Sequence, residues 1–233
     1  NMVTPAEEFF AWRNELAAVG FNQFAFNNVG NPYDHSHIPF NCHPFEKELI
    51  DRFGVIYGFS LDNIWGFLSH SGTDSNMHGL YMGRTILKNR AGVMPKIYFT
   101  KEAHYSIQIL RDLLNLEWVV VGTLTDGSMD VADLERQLNA HPNHPALVVA
   151  TIGTTFKGAI DPIDGIHSKL KGRTAYLHLD AALFGGYLPH TQFAADLLHE
   201  VSDPVSGKKQ KRYDSIAVSC HKFFGFPSPA GLF

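Results

Sequence analysis

From about residue 60 onward, short apolar runs alternate with stretches of helical spacing, and this alternation constrains the fold more than any other feature of the chain. "IWGFLS" precedes a predicted helix from about Thr73 to Leu87, "KIYFT" precedes "KEAHYSIQILRDLLN", and "EWVVVGTL" precedes "DVADLERQLNA". "ALVVATIG" then leads to "PIDGIHSKLKG", "AYLHLD" to a loop, and "SIAVSC" to the last residues. Parallel strands need long crossovers, usually helices, and strands covered on both faces read as unbroken apolar runs. The pattern predicts an α/β fold, a mostly parallel sheet flanked by helices. Upstream, "VTPAEEFFAWRNELAAVG" reads as a helix with Thr4 as cap, Pro5 in the first turn, Glu7 completing a capping box and Gly20 as stop. Residues 21–41, rich in Asn, Gly, Pro and His, read as a loop before "PFEKELIDRF" resumes helical spacing. The expected organisation is an N-terminal helix and loop over 1–43 and one large domain over 44–233.

With 233 residues, 45% of them hydrophobic, the chain has enough apolar surface for one sizeable core. A net charge of -4 gives no electrostatic reason to expect nucleic acid or an anionic membrane as partner. The basic cluster "GKKQKR" at 207–212 reads as a solvated loop. No apolar run approaches a membrane span and the N-terminus has no signal-peptide pattern, so a soluble protein is expected. Cys42 and Cys220 lie far apart and form no metal or redox motif, which suits a reducing cytoplasm. The chain opens on "NMVTP" and stops on the rising apolar segment "AGLF", the pattern expected of a truncated or processed fragment.

In open parallel sheets, ligands bind beyond the carboxyl ends of the strands. The residues to compare are therefore "SHSGTDSN" (69–76), "TKEAHYS" (100–106), "GTTFKG" (153–158), "DAALFGG" (180–186) and "CHKFFG" (220–225). Ser71, Gly72 and Thr73 stand where a strand turns into a helix. They could face a phosphate, but taken alone the segment reads better as a plain helix cap with Thr73 as the capping residue. The GxxxxGK[ST] spacing of a nucleotide loop is absent. Asp180 ends an apolar run among small residues, where a carboxylate needs a cation or several donors, and His178 shares its side of the strand. His104 begins a helix and is either structural or the face on which a flat ligand stacks. Lys222 leaves an apolar strand and precedes two phenylalanines, so its amine lies at the edge of an apolar layer.

The 13 histidines invite a metal, but HExxH is absent, and "HSH" at 35–37 and "HPNH" at 141–144 lack an evident carboxylate or thiolate partner. No metal is expected. G-x-S-x-G and the dinucleotide glycine pattern are absent too. An amine, a carboxylate, a stacking ring and a cluster of phosphate donors are together what pyridoxal 5'-phosphate requires. Desolvation favours the neutral amine of a lysine and so its addition to an aldehyde.

The segments "SGTDSNMHG", "YFTKEAHYS", "IGTTFKGAIDPID", "HLDAALFGG" and "SCHKFFGFP" resemble the group II pyridoxal phosphate-dependent decarboxylases, particularly the histidine and serine decarboxylase branch. The likeness runs from about Asn27 to the end of the chain. It implies the large domain of the aspartate aminotransferase-like, type I fold, and decarboxylation of a histidine- or serine-like L-amino acid. By resemblance, Lys222 is the Schiff-base lysine, Asp180 the partner of the pyridinium nitrogen and His104 the stacking ring, with Ala182 on the opposite face. Ser71, Gly72, Thr73, Ser219 and His221 contact the phosphate, and Thr154 lies near the ring substituents. Asn76 matches the family's helix without an assigned role.

Two departures stand out. The branch has glycine or cysteine where Ser71 stands, and glutamate where Asp74 stands. Family members continue well beyond the lysine, so the small C-terminal domain is expected to be missing. Homodimerisation, or association with a complementary C-terminal chain, is implied by the resemblance alone. The cofactor groups do not discriminate decarboxylation from aminotransfer or other lyase chemistry, and a non-catalytic remnant stays open.

Overall fold

The computed structural model describes residues 7–23, 29–192, 194, 201–202, 207, 209–226 and 228–233. Thr4 and Pro5, part of the 21–41 loop and Lys208 lie outside the described residues. The elements in chain order are α1 (Glu7–Ala18), α2 (His43–Ile56), β1 (Leu68–Ser69), α3 (Gly72–Ala91), β2 (Lys96–Thr100), α4 (Tyr105–Leu113), β3 (Trp118–Val121) and α5 (Val131–Ala140). They continue with β4 (Ala146–Thr151), α6 (Ile163–Leu170), β5 (Ala175–Asp180), β6 (Val201–Ser202), β7 (Lys209–Gln210), β8 (Ser215–Ser219) and β9 (Gly231–Leu232).

Seven strands form one sheet in the order β1-β9-β8-β5-β4-β2-β3. The neighbours from β8 through β3 are parallel, whereas β9 runs antiparallel to both β1 and β8. The alternation expected from the sequence is therefore present. The short segment "AGLF", which carries no strand signal of its own, supplies the antiparallel member. Its neighbour "IWGFLS" contributes only Leu68–Ser69 as strand, extended by the mutual backbone hydrogen bonds of Phe67 and Phe233 at 3.1 Å each. β6 and β7 pair as a separate antiparallel ribbon, so part of the basic cluster expected as a loop is strand.

Period-two alternation divides the core. Tyr98, Val148, Ala150, Leu177 and Leu179 point to the cluster covered by Leu134 and Leu138 of α5 and Ile163 and Ile166 of α6. Ile97, Phe99, Leu147 and Val149 point the opposite way, beneath Leu80 and Leu87 of α3 and Ile107 and Leu110 of α4. Every residue of β4 is buried. At about 1.5–3 kcal/mol for each large aliphatic side chain removed from water, this strand is the apolar centre of the domain. Helix α3 starts one residue earlier and runs four residues longer than its apolar spacing predicts, and ends at Gly92 in the left-handed region (φ 72°). Helix α1 buries none of its residues.

Candidate active site

The parallel register brings polar strand ends together. Thr151 of β4 lies beside Asp180 of β5, and His178 lies beside Ser215 of β8. Beyond these ends, the start of α3, the start of α4 and the turn after β8 enclose a cavity of ≈ 220 Å³. Ser71, Gly72, Thr73, His104, Asp180, Ala182, Ser219, His221 and Lys222 all line it.

Ser71 is extended and its Oγ accepts from the Asp74 amide at 3.2 Å. It is the cap of α3, a correction to the expectation that Thr73 fills that role, and Thr73 is exposed. The first amides of a helix lack intrahelical acceptors, and the Asp74 and Ser75 amides are taken by Ser71, which leaves those of Gly72 and Thr73 at the cavity. Gly72 permits the close approach: a Cβ there would lie 2.4 Å from Ser219 Oγ and 3.0 Å from the Ala182 methyl.

His104 caps α4, its Nδ1 accepting from the Ser106 amide at 3.3 Å and lying 2.8 Å from Ser106 Oγ. Burial lowers its pKa, the Asp180 charge opposes this, and the Lys222 charge adds to it. With Nδ1 accepting, the neutral ring carries its proton on Nε2.

Lys222 is half-buried, and its loop is collared by aromatic contacts: Phe224 packs 5.0 Å from Phe53, and Phe223 4.7 Å from Tyr187, centroid to centroid. These contacts explain the two phenylalanines that follow the lysine. Desolvation pushes the Lys222 ammonium below the ordinary lysine range, and the Asp180 charge offsets part of that shift.

Asp180 is buried. Its Oδ1 accepts from the Ala182 amide at 3.2 Å, while Oδ2 has no hydrogen-bond partner among the described residues. Burial raises its pKa, against the Ala182 amide, the Asn76 side chain and the charges of His104 and Lys222. His221 lines the cavity, with Nδ1 held against the Ala230 backbone.

Thr154 is the exception. It is buried with Oγ1 accepting from the Ala159 amide at 3.0 Å, so its hydroxyl closes the 154–159 turn and does not line the cavity. Its neighbours Thr151, Gly153 and Thr155 do. Sequence reasoning did not assign Thr151, Gly153, Thr155, Leu183 or Pro229 to the site; of these, Thr151, a polar residue closing an apolar run, carries the clearest local signal. It also missed Asp161, whose carboxylate ties the end of β4 to the β3–α5 connection by accepting from the Thr151 and Met129 amides at 2.7 Å each. Among the described residues no group of three or more metal-ligating side chains assembles, and no helix is long and apolar enough to cross a membrane.

The pyridoxal-dependent decarboxylase conserved domain matches residues 66–231. The chain belongs to the pyridoxal-dependent decarboxylase family. It is 32% identical over 221 residues to histidine decarboxylase of Acinetobacter baumannii, covering 93% of this chain and 54% of that protein. It is 34% identical over 224 residues to serine decarboxylase 1 of Oryza sativa subsp. japonica, covering 94% and 43%. The chain thus spans about half the length of the curated relatives it matches. In fold it is similar to L-methionine decarboxylase from Streptomyces sp.590, with TM-score 0.82 at 19% identity over 99% of this chain and 62% of that one.

The family's cofactor is pyridoxal phosphate, and the cavity fits it. A buried carboxylate oxygen lacking a partner among the described residues suits a ring N–H, a half-buried lysine amine suits an aldehyde, and the amides at a serine-capped helix start suit a phosphate. Nothing in the donor set conflicts with that group.

Proposed function

We propose that this chain carries the cofactor-binding part of an enzyme that decarboxylates a histidine- or serine-like L-amino acid to its amine and CO2. One observation carries the reading: Asp180 Oδ2, buried and without a partner among the described residues, shares a cavity with the half-buried amine of Lys222. The relatives named histidine decarboxylase and serine decarboxylase support the substrate class. The bound cofactor supplies an aldehyde that captures amines and a π system that accepts the electron pair left when CO2 departs.

In this reading Lys222 is the residue whose amine would hold the cofactor's aldehyde covalently. Asp180 would hold a proton on the ring nitrogen, its negative charge in a dry site favouring the cationic ring that accepts electrons. His104 and Ala182, which line the cavity, would hold the ring between them. Ser71, Gly72, Thr73, Ser219 and His221 bind the phosphate, and Thr154 acts by holding its turn in shape. The domain division at 43/44 belongs to the same reading. So do a cytoplasmic setting, which two cysteines far apart in sequence and in no metal or redox motif suit, and a homodimer or a pairing with a complementary C-terminal chain.

The test is reconstitution with pyridoxal phosphate, followed by visible absorption, borohydride trapping and CO2 release from carboxyl-labelled histidine and serine. Wild type gains the absorption and the trapped adduct, and Lys222→Ala loses both. Trapping at unchanged yield in Lys222→Ala would exclude the assignment, and keto acid in place of CO2 would move the chemistry to aminotransfer.

A further inference from the structure

His178 is wholly buried in β5, and no step assigned above uses it. Its Nδ1 lies 2.7 Å from Ser215 Oγ, its neighbour in register on β8, and its Nε2 lies 3.0 Å from Asn76 Oδ1 on α3. The helix makes room for the ring. A Cβ at Gly79, one turn beyond Asn76, would come within 2.3 Å of it. Asn76 is buried and lines the same cavity as Asp180, and its side chain favours the ionised form of that carboxylate.

The donor and acceptor pattern has one arrangement that suits a carboxylate. An ionised Asp180 accepts only, so the NH2 end of Asn76 must face it and the carbonyl end must face His178. His178 then carries its proton on Nε2, and Ser215 must donate to Nδ1. The opposite tautomer would turn the Asn76 carbonyl toward Asp180 and set two acceptors against each other. Burial holds His178 neutral, its pKa depressed to about 3, so the chain adds no charge of its own.

We propose that Ser215, His178 and Asn76 form a buried positioning chain that presents the Asn76 amide to Asp180 and favours its ionised carboxylate before any cofactor arrives. Besides the Ala182 amide, the charged or titratable groups that act on Asp180 are His104 at the start of α4, Lys222 after β8 and Asp161 after β4. His104 and Lys222 favour the carboxylate, whereas Asp161 opposes it. The chain of three supplies what those charges do not, a directed donor from the α3 side that does not change with pH in the working range. The inference deepens the proposed function and rests on it only in taking Asp180 as the partner of the ring nitrogen.

The test needs no cofactor. In the full chain labelled with [13Cγ]aspartate, the Asp180 resonance is assigned by its loss in Asp180→Asn and titrated with pH. Asn76→Leu and His178→Phe raise the Asp180 midpoint by about one pH unit or more, a tenfold change in ionisation. His178→Gln, which keeps an amide donor toward Asn76, restores most of the shift. Ser215→Ala moves the midpoint the same way by less and is the mildest change to the packing. An unmoved midpoint in Ser215→Ala and in whichever of the two larger variants folds, judged by its amide spectrum, overturns the proposal. A wild type that fails to bind pyridoxal phosphate refutes the proposed function and leaves this titration standing. Normal cofactor binding with an unmoved midpoint refutes the positioning chain alone.

Discussion

Replacing Gly79 by alanine sets two opposed effects against each other at one atom. In the middle of an exposed helix the change would favour folding by about 1 kcal/mol, because glycine is the more costly residue to order. At this position the added Cβ would stand 2.3 Å from His178 Cε1, 2.5 Å from Nδ1 and 2.9 Å from Nε2. The ring has no free direction, since Ser215 and Asn76 hold its two nitrogens at 2.7 and 3.0 Å and it is wholly buried. Overpacking a core costs about 1–3 kcal/mol. Displacing the ring far enough to relieve the contact forfeits hydrogen bonds worth about 0.5–1.5 kcal/mol each. Set against the propensity gain, Gly79→Ala destabilises by about 3 kcal/mol, with a floor near 1. Equilibrium urea unfolding at an unchanged slope reads this as a midpoint lowered by about 1 M. In a His178→Ala background the same substitution costs little, so a double-mutant cycle returns a coupling of similar size. A Gly79→Ala midpoint equal to or above that of wild type, or a coupling near zero, would refute the claim that this glycine exists to admit the imidazole.

Three further outcomes follow from the same contacts. Burial raises the Asp161 carboxyl from 3.8 to about 6, so the native chain holds a proton that the unfolded chain has released between those pH values. Its contribution is full below about pH 4 and lost as pH rises through about 6, a fall of about 3 kcal/mol that Asp161→Asn abolishes; a pH-independent stability difference between the two proteins would contradict this. Ser71→Ala removes the cap of α3 and costs about 1 kcal/mol, whereas Ser71→Gly costs a few tenths, measured by urea unfolding; equal losses would argue against the cap. Burial pushes the Cys220 thiol up to about 11, so its alkylation at pH 8 proceeds far more slowly than that of a free cysteine, and equal rates by mass spectrometry would rule this out.

Legibility differed by residue according to how local its signal is. Strands β2 to β5 and β8 stood out because each is an apolar run long enough to cross a two-faced sheet, and the helices between them because their apolar spacing returns every turn. β9 did not, since Gly231 and Leu232 become a strand only by fitting between two others. Ser71 and Thr73 are both good capping residues, and the chain trace, not side-chain chemistry, decides which one is extended. Thr154 lies in a segment that reaches the cavity, but its hydroxyl turns to either side by rotation about one bond, and here it accepts from the Ala159 amide. Lys222, Asp180 and His104 were legible because a charged or polar side chain at the end of an apolar strand, or the start of the next helix, has few places to go.

By itself the sequence determined the α/β class, the end of the sheet at which chemistry gathers, the family to which the motifs belong and most of the residues that line the cavity. The antiparallel insertion of β9, the register that pairs His178 with Ser215, the burial of Asp180 with one oxygen unpartnered among the described residues, and the orientation of Asn76 were decided only in three dimensions. The physical reason is range. Periodicity and strand-end polarity are written into neighbouring residues, whereas a hydrogen bond between residues 76 and 178 exists only once α3 has settled on β5.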